Sequence, residues 1–131
     1  MHKYEKLLSY IDDFSTAGKE VGTWVNKPPY FPYVRYSEEM SSFINEVYQT
    51  DLMDTEYMPY LDQHLPAHVN YADYIEAADF RLLRAILTYY VRQDRFHEGL
   101  WIEATVNGVF NHILLKIKDS VLLENHVILP D

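Results

Sequence analysis

The chain of 131 residues holds six histidines, twenty Asp or Glu, eleven Lys or Arg, and no cysteine. Without a thiol there is no thiolate nucleophile, no disulfide, and no cysteine-ligated zinc or iron–sulfur site. The histidines (His2, His64, His68, His97, His112 and His126) are scattered rather than clustered. His64 and His68 stand four residues apart, the spacing of a helical metal pair, but Pro66 between them breaks the shared face. His97-Glu98 lacks the second histidine of a zinc-protease helix. The carboxylate pairs Asp12-Asp13 and Glu38-Glu39 are sequence neighbours, so on a helix they diverge by about 100° and do not converge for acid–base work. No nucleophile elbow, phosphate loop or dinucleotide fingerprint occurs, and four glycines leave little material for one. The sequence therefore assigns no catalytic residue, no metal ligand and no cofactor.

Two constellations remain. Arg92, Arg95 and His97 have the chemistry of an anion site, since guanidinium forks take carboxylates or phosphates through two charged hydrogen bonds. They also have a structural reading. Gly99 can end the long helix in a left-handed conformation, Phe96 can tuck back into the core, and the arginines can answer the helix dipole or pair with Glu98 and Glu103. The second constellation runs from Trp24 to Tyr36 and includes Tyr30, Phe31, Tyr33 and Arg35 around Pro28, Pro29 and Pro32. Such residues form an interface hot spot or wall an apolar pocket. Equally, the prolines can stiffen a loop that merely covers the helices. Twelve tyrosines in the whole chain suit either use.

The elements that must position these groups read as helices. Tyr4, Leu7, Leu8, Ile11 and Phe14 recur at helical spacing, and the run 15–18 breaks them. Three prolines in five residues exclude a helix over 28–32. Ser37 caps a second helix with Met40, Phe43, Ile44 and Val47 on one face. Asp51 or Asp54 opens a third, with Tyr57, Leu61 and Leu65 inside and Pro66 ending it. A short helical piece over 71–77 precedes Asp79, which caps the most regular segment, Leu82 to Val91. Asn107-Gly108 separates two further helices, one holding Leu100, Trp101 and Ala104, the other Val109, Phe110, Ile113, Leu114 and Ile117. The tail 120–131 is expected to dock as a strand or extended piece. The fold class is all-α: a single compact bundle of five to seven helices, with a proline-rich aromatic loop after the first, and one domain spanning 1–131.

Charge bounds the partners. The formal net charge is −9, and residues 1–78 alone carry thirteen acidic against five basic side chains. An acidic half of this kind repels phosphate backbones and anionic lipid surfaces, and it also simply keeps a protein soluble. The candidate recognition helix, Val109–Lys118, has its basic residues Lys116 and Lys118 at the wrong end for reading DNA, so nucleic acid is the least favoured partner. No apolar run approaches the length of a membrane span, and no signal-peptide pattern opens the chain. The expectation is a cytoplasmic protein.

The segment from Arg81 to Trp101, with its Arg92-x-x-Arg95-Phe96-x-x-Gly99 core, and the later Asn107-Gly108-Val109-Phe110 resemble a bacterial family of small proteins classed only as a domain of unknown function. The likeness is clearest over 79–118 and weaker over Gly22–Tyr48. It implies a bacterial helical protein of the cytoplasm and brings no activity or ligand with it. The function expected from the residues is a non-enzymatic protein-interaction module acting on a partner or on itself as a homodimer. The alternative is a small-ligand-binding protein or unrecognised enzyme with a tyrosine-lined anion pocket anchored by Arg92 and Arg95.

Overall fold

A computed structural model describes residues 3–15 and 20–128. Seven α-helices and one β-hairpin follow in the order α1 (Glu5–Leu8), α2 (Tyr10–Ser15), β1 (Gly22–Val25), β2 (Tyr33–Tyr36), α3 (Glu38–Gln49), α4 (Tyr57–His64), α5 (Phe80–Arg92), α6 (Leu100–Val106) and α7 (Val109–Ile128). Short 3-10 turns occupy Tyr71–Tyr74 and Gln93–Arg95.

Local chemistry explains most boundaries. The Ser37 hydroxyl accepts from Met40 N, and an Asp79 carboxylate oxygen accepts from Leu82 N, so both caps satisfy an otherwise orphaned first-turn donor. Asp54 opens α4 from further back, accepting from Glu56 N at 2.9 Å. Pro59 is tolerated because it falls in the first turn of α4, where its missing N–H has no partner to lose. Gly108, at φ +75°, closes α6 and turns the chain into α7.

α7 is the central helix. Val109, Phe110, Ile113, Leu114 and Ile117 are buried against α1, α2, α5 and α6. Phe110 meets Phe43 edge-on at 5.1 Å, and Phe43 meets Phe14 at 4.9 Å, so one aromatic chain ties α2, α3 and α7 together. A buried polar link ties the segment before α4 to α5: Asp54 N donates to Thr88 Oγ1 at 3.0 Å, while Thr88 Oγ1 donates to Arg84 O at 2.8 Å.

Four expectations change. The aromatic segment after the first helix is a two-stranded antiparallel hairpin, with Gly22 opposite Tyr36 and Val25 opposite Tyr33. Prolines do not interrupt it because they are confined to the connection 26–32, off the ladder. Residues 120–128 continue α7 as helix instead of forming an extended tail, and 129–131 lie outside the described residues. The first helix is two short ones, broken at Ser9. Finally, Phe96 is 72% exposed and does not tuck into the core. α5 has already ended at Arg92, and the 3-10 turn that follows points the ring outward.

Candidate functional site

The hairpin is held to the segment 94–102 by three successive ties. The Trp24 indole lies on Gly99, where a Cβ would come within 2.9 Å of Cζ2. Val34 N donates to Glu98 Oε1 at 2.9 Å. The Tyr36 hydroxyl donates to Asp94 Oδ1 at 2.5 Å, and the Tyr36 ring sits 4.6 Å from that of Trp101. Burial, followed by the Asp94 carboxylate, holds the Tyr36 phenol well above its ordinary pKa, so it remains a donor at neutral pH. Asp94 is thus the anchor of the hairpin, a role that the sequence alone did not assign.

These ties fix the base of the hairpin and leave its tip free. Phe31 is 92% exposed and Tyr30 is 73% exposed, on a connection closed by Tyr30 N donating to Lys27 O and containing a cis Pro28-Pro29 bond. Tyr33 and Arg35 alternate outward along β2. Trp24 is shared: half its surface faces solvent, and the rest packs on Gly99. The five residues from Trp24 to Arg35 therefore do lie on one element.

Arg92, Arg95 and His97 do not stay together. Arg92 and Arg95 line one surface cleft of about 190 Å³ with Tyr48, Asp94 and Trp101. The Arg95 guanidinium also lies over the Phe96 ring at 4.8 Å. His97 faces another cleft of about 530 Å³, where its Nε2 lies 2.9 Å from Glu103 Oε2. This second cleft is walled by Tyr71, Tyr89 and Tyr90. The expected combination of a tyrosine wall with arginine anchors is therefore divided between two places. The three-residue turn after α5 separates them by carrying Arg95 and His97 to different sides.

Sequence reading missed Tyr71, Tyr89 and Glu103 as a group. Tyr71 meets Tyr89 edge-on at 4.7 Å, and Tyr89 meets Tyr90 at 5.2 Å. The adjacent pair Tyr89-Tyr90 at the end of α5 was the one visible signal. Burial pushes the Tyr90 phenol up to about 12 and raises that of Tyr71, so both rings are uncharged at neutral pH. Among the described residues, no three His, Asp or Glu side chains are grouped to hold a metal ion. Nor is any helix there long and apolar enough to cross a membrane.

Fold and site together define a mostly helical protein that carries an aromatic hairpin docked at its base and open at its tip. The chain belongs to the family described as "Family of unknown function (DUF6508)", whose model matches residues 1–121. That agrees with the resemblance to a family of unknown function drawn from the segment 81–110. No curated protein and no solved structure matches the chain.

Proposed function

We propose that this is a bacterial, cytoplasmic, non-enzymatic protein-interaction module whose contact surface is the hairpin tip. The observation that carries the reading is the exposure of Tyr30 and Phe31 on an element whose base is tied down at Trp24, Val34 and Tyr36. Large aromatic rings held out on a pre-organised element lose little entropy when covered, and they dominate binding energy where they occur at interfaces. The absence of cysteine suits a reducing compartment.

Charge indicates the kind of surface the tip fits. Residues 22–36 carry Lys27 and Arg35 and no acid, whereas the rest of the chain carries nine basic and twenty acidic side chains. A basic aromatic tip is complementary to an acidic protein surface, and a second copy of this chain offers one. Analytical ultracentrifugation over a concentration series, at low and high salt, tests this directly. Self-association weakened by salt, and lost in a Tyr30→Ala/Phe31→Ala variant of unchanged Tm, is the expected result. A strictly monomeric wild type would exclude the homodimer, and a pull-down from the native host would then have to lose its partner with the same variant. Retention of every partner by the variant would overturn the reading.

A second reading follows from Arg92 and Arg95 sharing one cleft: a small-anion site. Sulfate or citrate should then raise the Tm, and Arg95→Ala should remove the gain. Equal stabilisation of the variant would reduce it to a general salt effect.

A further inference from the structure

The larger cleft has a chemistry of its own, independent of the hairpin. Three phenol rings form its aromatic wall, and Asp73, Glu103 and His97 also line it, with no lysine or arginine among its lining residues. Its acidic side chains are two carboxylates, Asp73 and Glu103. One of these, Glu103, has the His97 imidazole Nε2 2.9 Å from its Oε2. The Tyr71–Tyr89–Tyr90 series of edge-on contacts packs the wall into a fixed arrangement. The volume of about 530 Å³ lies within the range of small-molecule sites.

An anion entering this cleft would meet two carboxylates and no permanent cation to balance them. A neutral apolar molecule would leave the carboxylates to be desolvated without return. An organic cation satisfies both parts of the lining. Its alkyl groups lie against ring faces whose quadrupole attracts positive charge, and its charge is answered by the carboxylates. The chain's net charge of −9 adds a long-range attraction of the same sign.

We propose that the cleft bounded by Tyr71, Tyr89, Tyr90, Asp73 and Glu103 binds a small organic cation, an ammonium group on a compact carbon skeleton. His97 positions Glu103 from the rim.

The test is an amide-resolved NMR titration of the full chain with choline, with the neutral isosteric alcohol in which carbon replaces the nitrogen, and with acetate. Choline is expected to shift the amides around Tyr71, Asp73, Tyr89 and Glu103 saturably in the millimolar range. The neutral isostere should bind about tenfold more weakly, because it keeps the shape and loses the charge. Asp73→Asn and Glu103→Gln, both at exposed carboxylates, should each weaken choline binding several-fold, and the same spectra report that each variant is folded. Asp73→Asn leaves the His97–Glu103 pair intact, so its loss of affinity separates charge from positioning. Absence of saturable choline shifts, equal binding of the isostere, preference for acetate, or indifference to both substitutions would each overturn the proposal.

Discussion

Trp24 rests on Gly99 so closely that a Cβ built on the glycine would fall 2.9 Å from the indole Cζ2, and the glycine itself sits at φ +90°. The contact joins the base of the hairpin to the turn entering α6, and it explains why a glycine follows Phe96-His97-Glu98. Gly99→Ala meets both a left-handed backbone and an overlap with the ring. It is expected to lower the unfolding free energy by about 2–4 kcal/mol. Gly108→Ala shares only the backbone penalty, because nothing lies within 4 Å of its Cβ direction. A loss of about 1–2 kcal/mol is expected there. Urea denaturation of the two variants distinguishes them, and equal losses would show that the indole yields freely.

Thr88 makes a second prediction. Its hydroxyl is buried and serves both Asp54 N and Arg84 O. Thr88→Val keeps the shape but leaves a buried N–H without its acceptor, so stability should fall by about 1–3 kcal/mol. Thr88→Ser, which retains the oxygen, should lose clearly less. If serine and valine prove equivalent on denaturation, the methyl packing and not the hydroxyl holds this junction.

Alkaline pH should loosen the fold through its tyrosines. Tyr4 and Tyr90 are pushed up to about 12, and Tyr36 is raised further, with burial the largest cause in each case. The neighbouring carboxylates add to it, Asp51 at Tyr4 and Asp94 at Tyr36. A raised folded-state value means that the folded chain holds the proton more tightly than the unfolded chain. The stabilisation is complete below the unfolded phenol value of about 10 and is lost as pH climbs through and beyond it. The urea midpoint should therefore fall above about pH 10, and Tyr36→Phe should make that fall shallower while lowering the midpoint at neutral pH. A variant with the wild-type alkaline slope would remove Tyr36 from this account.

Phe96 gives the opposite kind of prediction. It is largely exposed, with the Arg95 guanidinium over its ring, whereas Phe110 is fully buried. Phe96→Ser should change stability by no more than about 0.5 kcal/mol, while Phe110→Ala should cost about 3–5 kcal/mol. Thermal melts of the pair suffice. A destabilised Phe96→Ser would mean that the ring covers apolar surface in solution.

The features legible in the sequence were the ones that act within a few residues. Ser37 and Asp79 cap the helices that follow them, and Asn107-Gly108 separates α6 from α7, because a cap needs only its own first turn. The hairpin was hidden because its strands, four residues each, are secured by partners 58 to 75 residues away at Asp94, Glu98 and Gly99. No local pattern announces such ties. Phe96 was misplaced for a related reason: the helical period was carried past Arg92, where the chain tightens into a 3-10 turn and the phase changes. The aromatic residues of the site were visible by type. Their division between a hairpin tip and a tyrosine-walled cleft depends on how α5 packs beside the turn Tyr71–Tyr74.

His97, Glu98 and Gly99 are consecutive, yet the first faces the tyrosine cleft, the second holds the backbone of β2, and the third supports the indole of β1. One inserted or deleted residue in this stretch would rotate all three duties out of register at once. The connection 26–32 carries no comparable burden and turns on its own Tyr30–Lys27 hydrogen bond. The length of the stretch 94–101 is thus set by three contacts at once, whereas the connection 26–32 can change length or side chains without disturbing any of them.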